Sequence, residues 1–237
     1  MSAKKLVVVE PVGQVLLIKN KRSQYMRLRV NPEGQAQVSM PALASEKNAI
    51  QFIKSKSEWI LQQQKKLEAG LTVFSPESNF RTKFHQLKVV ITEQAKISNH
   101  LGNGILQINI PSRFDFQQTE IQQFIRKVII RLMRHEAKIY LPRRVEELAK
   151  LHNFTFQKVF VKHVKSRWGS CSSVNNINLN IHLMRLPDHL IDYVILHELV
   201  HTKIKNHSRE FWSMLELTYP GSKSFNKELK KYQVDVF

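Results

Sequence analysis

The sequence predicts an α+β fold, with strands gathered in its amino-terminal part and a buried, histidine-bearing helix near its carboxyl-terminal end. Three observations predict it. Apolar, β-branched runs with period-two alternation recur before residue 115, apolar residues recur at helical spacing from Thr119 to about Leu151, and the segment from Leu190 to Val200 is apolar around most of a helical circumference. The 237 residues are enough to bury a sizeable core, and the 42% hydrophobic content supplies apolar area to offset the entropy of ordering the chain.

Taken in order, LVVVE and VLLIK read as strands, and Tyr25, Arg27 and Arg29 alternate with Met26, Leu28 and Val30. The Asn31-Pro32-Glu33-Gly34 turn then returns the chain into QAQVSMP, giving a hairpin. Ser45 and Glu46 start a helix expected over about 45–68, with Ala49, Phe52, Ile53, Trp59, Ile60 and Leu67 on one face. Residues 71–84 read as a loop, after which QLKVVIT and ILQINIP flank the turn-rich segment 98–104 as a second hairpin. From Thr119 to about Leu151 one long helix is expected, broken at Pro142. FQKVFVKHV and INLNIHLM are expected as strands separated by 165–176, and Leu186-Pro187-Asp188 opens the helix that follows.

Lys plus Arg number 37 against 19 Asp plus Glu, a formal charge of +18 whose field attracts nucleic acid, phosphates or anionic lipid, or only keeps the surface solvated. The short apolar run near the start is interrupted by Glu10 and Pro11, too short for a signal sequence, and no run approaches the roughly 18 apolar residues of a membrane span. A soluble, cytoplasmic chain with no membrane partner is expected. Its one cysteine, Cys171, excludes an internal disulfide and reads as buried packing.

Residues 197–201 read His-Glu-Leu-Val-His. On a helix the i and i+4 positions stack both imidazoles on one face, where both reach one ion. Zinc takes neutral imidazole nitrogen, and a catalytic site uses three protein ligands and leaves a fourth position for water, which Glu198 would deprotonate. Polar groups on so apolar a helix are costly unless paired or metal-bound. His207, six residues beyond His201, is the expected third ligand, with Asn206 ending the helix in a left-handed conformation and Ser208 capping the next; Glu216 and Glu228 are the substitutes. Shuffling the chain would give the five-residue pattern in roughly 3% of cases, and about 0.1% with the third histidine, so chance is the weaker explanation.

The segment 166–173 (SRWGSCSS), Ile177-Asn-Leu-Asn180, Ile191-Asp-Tyr-Val194, His197 to His201, Asn206-His-Ser208 and Phe211-Trp212 resemble the YgjP-like metallopeptidase family. Upstream, Tyr25 to Val30, the Asn-Pro-Glu-Gly turn, Met40-Pro41 and Lys54 to Ile60 resemble its amino-terminal half. The resemblance implies a zincin-like catalytic region related to the WLM and SprT-like proteases, an active-site helix packed on a small sheet, preceded by a strand-rich part, with the three histidines as zinc ligands. The expected division is 1–115 for the strand-rich part and 116–237 for the hydrolase. The sequence departs from the family at Asn175, usually Gly, and at Ile181-His182, usually Trp-Arg; Asn tolerates positive φ. Ile204 stands where metzincins have Gly, which separates the chain from them.

A zinc metallopeptidase acting on peptide or protein is therefore the leading expectation, with Glu198 as catalytic base and His197, His201 and His207 on the metal. Arg167 or His163 is a candidate for stabilising a tetrahedral intermediate, and INLNIHL is the strand expected, by fold analogy, to receive an extended peptide. Two alternatives stand beside it: a metal-dependent nucleotide phosphoanhydride hydrolase, and a DNA-associated protease or polyanion-binding module. The sequence does not fix the oligomeric state.

Overall fold

The computed structural model describes residues 4–31, 34–70 and 72–234, with the side chains of 66–70 left aside. Its contacts divide the chain at 72/73 into two compact units.

In the first unit β1 (Lys4–Val9) and β2 (Gly13–Asn20) pair antiparallel, β3 (Arg27–Val30) and β4 (Ala36–Pro41) form the expected hairpin, and β2 and β4 run parallel, giving the order β1-β2-β4-β3. Pro32 and Glu33 of the hairpin turn lie outside the described residues. Alternation sends Val7, Val9, Val15, Leu17, Val38 and Met40 inward, where they meet Ala49, Ile53 and Ile60. The single helix expected over 45–68 is two helices, α1 (Glu46–Ser55) and α2 (Ser57–Gly70). The break at Lys56 has a local cause. The hydroxyls of Ser55 and Ser57 donate to the carbonyls of Phe52 and Lys54, and the Lys56 N–H turns back to Ile53, so side chains compete with the helical ladder. Ser45 caps α1, accepting from the Asn48 N–H at 3.2 Å. Leu67, assigned to the apolar face, has its side chain outside the described residues.

The second unit opens with β5 (Gln86–Thr92), β6 (Ser98–Gly102) and β7 (Ile105–Pro111), ordered β5-β7-β6. Here β5 and β7 are parallel, not the expected hairpin; the segment read as a turn contains β6, which forms the true hairpin with β7. Asn103 and Gly104 between them have φ of 50° and 72°, the left-handed pair a two-residue hairpin turn requires. Next, α3 (Thr119–Leu151) is one unbroken helix despite Pro142, held by a buried face that includes Ile125, Ile129, Met133, Leu141, Val145 and Leu148.

The division at 72/73 places 73–115 with the carboxyl-terminal unit, whereas the sequence suggested a boundary at 115. Buried polar side chains of α3 explain this. Gln122 accepts from the Phe74 N–H at 2.9 Å and donates to the Phe74 carbonyl at 2.8 Å, while Glu136 accepts from Thr82 at 2.7 Å and contacts His85 Nδ1 at 2.6 Å. Unmade, each such group would carry a desolvation cost of about 1–3 kcal/mol, so α3 and residues 73–86 order together.

A second three-stranded sheet, β8 (Val159–Lys162), β9 (Gly169–Cys171) and β10 (Ile177–Asn180), has the order β8-β10-β9. The segment 165–176, expected to be only a connection, thus holds an edge strand. INLNIHLM is a strand only to Asn180; Ile181–Arg185 is a 3-10 helix begun by the Asn180 side chain, which accepts from the His182 N–H at 3.2 Å. There follow α4 (Asp188–Val200), α5 (Arg209–Thr218) and α6 (Ser222–Leu229). The architecture is α+β, with α4 packed on the small sheet as expected. Arg144 of α3 grips Asp192 of α4 through two hydrogen bonds of 2.6 and 2.7 Å, and Lys83 pairs with Asp188 at the start of α4.

Candidate metal centre

The helix α4 is buried on nearly every side, and its apolar residues from Leu190 to Val200 keep it there. It ends at His201, and a tight turn through Thr202 to Ile204 brings the chain back: Thr202 N–H donates to Leu199, and Lys203 and Ile204 N–H groups to Val200. Asn206 was expected to supply a left-handed residue. It is not among the positive-φ residues; its Oδ1 instead accepts from the Ser208 N–H at 3.2 Å, a local turn that needs no left-handed backbone. Ser208 caps α5, accepting from the Phe211 N–H at 3.4 Å, as its sequence position predicted.

This geometry carries His207 to the two histidines of α4. His197 and His207 Nε2 stand 3.0 Å apart, His201 and His207 Nε2 3.1 Å, and one ligand atom from each lies within 4.8 Å of the others. His201 Nδ1 is 2.9 Å from the Ile204 carbonyl. A carbonyl can only accept, so the proton sits on Nδ1 and a neutral His201 offers Nε2 as a bare lone pair. Burial pushes the His197 pKa down to about 3, helped by His201 and His207, and burial lowers that of His201 as well. His197 and His201 are therefore neutral at pH 7. Nitrogens about 3 Å apart either share a proton as a hydrogen bond or turn their lone pairs to one cation. Two nitrogens at about 2.0–2.1 Å from a tetrahedral ion lie roughly 3.3 Å apart, so the donor set fits a cation.

Phe211, wholly buried, is the floor of the cluster. Its ring stacks on His201 at 4.4 Å and meets His197 and His207 edge-on at 4.8 Å each. The sequence pattern marks Phe211 only as core. The substitute ligands are engaged elsewhere: Glu216 accepts from Gly221 N–H and Ser222 Oγ, and Glu228 is 3.0 Å from His189.

Glu198 is 6% exposed and lies against β9. Burial pushes its pKa up to about 8, against the pull of the Arg167 guanidinium and the Cys171 backbone N–H that donates to it. A Cβ built on Gly169 would stand 2.8 Å from both Glu198 Cγ and Oε1, so any larger residue there would push the carboxylate aside. Sequence reasoning missed this glycine because its partner is 29 residues away. Lys205 is a second residue it missed. Its ammonium binds the carbonyl of Ser172 at 3.0 Å and the Oδ1 of Asn175, tying the loop after α4 to the turn after β9; Asn175 has φ 59°, the positive value anticipated for it.

Other candidates lie apart. His182 is fully buried with its ring centroid 5.2 Å from that of His163, and burial together with Arg185, His163 and Lys165 takes its pKa down to about 3, so its position serves packing. INLNIHL does not offer a free edge: β10 is paired on both sides, with β8 and with β9, and β9 is the edge strand beside Glu198. A pocket of about 270 Å³ on this sheet, lined by Lys162, Ser166, Arg167, Trp168 and Asn178, includes Gly169 but none of the three histidines.

Comparison with known proteins gives the following. The family described as YgjP-like, metallopeptidase domain, matches residues 24–232. Among solved structures, the metallopeptidase zymogen of Pyrococcus abyssi abylysin shares 23% identity, the match covering 38% of this chain and 91% of that one with a TM-score of 0.34. The metallopeptidase zymogen of Methanocaldococcus jannaschii jannalysin shares 29% identity, covering 38% and 90%, with a TM-score of 0.33. No curated protein matches the chain.

Proposed function

Because the chain belongs to the YgjP-like metallopeptidase family, and is thereby a metal-dependent hydrolase of the peptidase type, we propose that His197, His201 and His207 hold a zinc ion and that Glu198 is the general base in peptide-bond hydrolysis. The convergence of three imidazole nitrogens beside a buried glutamate supports this reading best. Bound there, zinc would supply a Lewis acid that polarises the scissile carbonyl and acidifies water.

The chain's own residues do the rest. Glu198 Oε takes the proton of the attacking water and returns it to the leaving amine, the general acid–base role open to a buried carboxylate next in sequence to a metal-binding histidine. Gly169 and the Cys171 N–H hold that carboxylate in place. His201 is oriented by Ile204, and Phe211 keeps the rings from rotating away. An extended peptide would lie along β9, the edge strand next to Glu198. Of the two candidates for stabilising negative charge on the reacting carbonyl oxygen, Arg167 is favoured over His163 because its charge acts on Glu198.

The test is casein and mixed-peptide digestion by the zinc-loaded protein, with Glu198→Gln as control. Cleavage lost in the variant is expected. Phosphate release from nucleotides, lost in the same variant while peptides stay intact, would move the reading to a phosphoanhydride hydrolase.

A further inference from the structure

The helix α3 passes through the second unit with one side buried and the other bare. On the bare side Lys127, Arg131, Arg134 and Lys138 are all exposed. At 100° per residue they fall within an arc of about 60°, and at 1.5 Å per residue they span about 16 Å of helix. None of the four makes a hydrogen bond or ion pair among the described residues. The acidic residue that shares their arc, Glu120, sits about two turns before Lys127, and Glu136, between Arg134 and Lys138 in sequence, is buried against Thr82 and His85.

Like charges three and four residues apart destabilise a helix by a few tenths of a kcal/mol per pair. Surface residues with no packing role are free to vary toward mixed charge, and mixed charge is what a merely solvated helix face carries; Arg143, Glu146 and Glu147 on the same helix are an example. Between Gln123 and Ile139, by contrast, every exposed charged side chain is a cation. Neighbouring cations in the row are separated by about 4.5–6 Å of axial rise, and the row is held on a rigid helix whose opposite face is anchored.

We propose that this face of α3 binds the phosphodiester backbone of a nucleic acid duplex, without reading its sequence. A polyphosphate backbone supplies closely spaced anions along a line, which matches a row of cations along one face of a helix. The contact is with phosphates, so it needs no groove-reading element. This surface does not depend on the metal site or on peptidase activity.

The experiment is fluorescence anisotropy of a labelled 20-base-pair DNA duplex, and of the RNA duplex of the same sequence, titrated with the full chain over a range of salt. The quadruple variant Lys127→Gln, Arg131→Gln, Arg134→Gln, Lys138→Gln is compared with an equally charged control, Lys88→Gln, Lys96→Gln, Lys150→Gln, Lys230→Gln, altered at scattered exposed lysines. Four phosphate contacts give a log–log salt slope of about −3.6, so wild-type affinity should fall by about 100-fold between 50 and 200 mM salt. The α3 variant should lose at least tenfold in affinity and most of that slope, and the control should keep both. Equal DNA and RNA affinities mark backbone recognition; preference for one identifies the source and keeps the surface. Equal losses in the variant and the control would show that only net charge matters and overturn the proposal. So would α3-dependent binding to vesicles containing phosphatidylserine with no duplex binding. Circular dichroism confirms that all variants fold, which their exposure favours.

Discussion

Replacing Gly169 with alanine tests how the fold positions Glu198, the proposed base. The added Cβ would stand 2.8 Å from Glu198 Cγ and Oε1, against ordinary contact beginning at 3.4 Å, so the carboxylate must retreat by about 0.6 Å. It has little room, being 6% exposed and flanked in α4 by Leu196, Leu199 and Val200, all fully buried. A misplacement of about 1 Å at a reacting group costs on the order of 100-fold in rate, so a loss of about 10- to 100-fold in kcat is expected. Overpacking costs about 1–3 kcal/mol, lowering Tm by roughly 2–10 °C for a domain of this size. The assay is steady-state cleavage of casein or a quenched fluorescent peptide, read with zinc content and a thermal melt on the same preparation. Zinc content should stay at the wild-type value. Activity within twofold of wild type together with an unchanged Tm would refute the contact between Gly169 and Glu198.

Further outcomes follow from the same geometry. In metal-free protein Glu198 titrates near 8 when folded and near 4.5 when unfolded, so the folded state binds the extra proton and stability falls as pH rises between those values. The Glu198→Gln variant should therefore melt above metal-free wild type at pH 8, with the gap closing toward pH 4.5; equal melting temperatures at pH 8 would argue against the raised pKa. His182 has the opposite sign: its pKa is about 3 folded and about 6.5 unfolded, so the unfolded chain binds the extra proton and stability is lost as pH falls below 6.5. Urea unfolding at pH 7 and pH 5 should show a smaller loss in His182→Leu than in wild type, and an equal loss would exclude this titration as the cause. Phe211→Ala should cost about 3–5 kcal/mol by urea denaturation and weaken zinc binding in competition with a chelator. Unchanged zinc affinity in the folded variant would mean that the phenyl floor does not position the histidines.

Much of the candidate site's geometry was legible because it is local. His197, Glu198 and His201 lie within five residues, and Ser208 announced the helix that holds His207 near them. Gly169, Phe211 and Lys205 were not read because their roles depend on neighbours in three dimensions; Gly169 looks like any strand glycine until α4 is packed on it. The errors in the fold were of two physical kinds. Strand pairing is non-local, so QLKVVIT and ILQINIP looked like a hairpin although β6 had to fold back first; the Asn103-Gly104 pair was the available signal. Helix continuity depends on packing and side-chain competition. Pro142 did not break α3, whose buried face holds it, whereas Ser55 and Ser57 did help end α1. The boundary between units was hidden for the same reason, since Gln122 and Glu136 act across 48 to 54 residues of sequence.

The central claim is that three histidines hold one zinc ion. Elemental analysis of untagged wild type and His201→Ala, purified identically, then supplemented with zinc and passed over a desalting column, tests it directly. The account predicts about one zinc per wild-type chain and a clear loss in a variant shown to be folded by circular dichroism. Wild-type protein that is folded yet retains no zinc, or a His201→Ala variant that retains it fully, would contradict it.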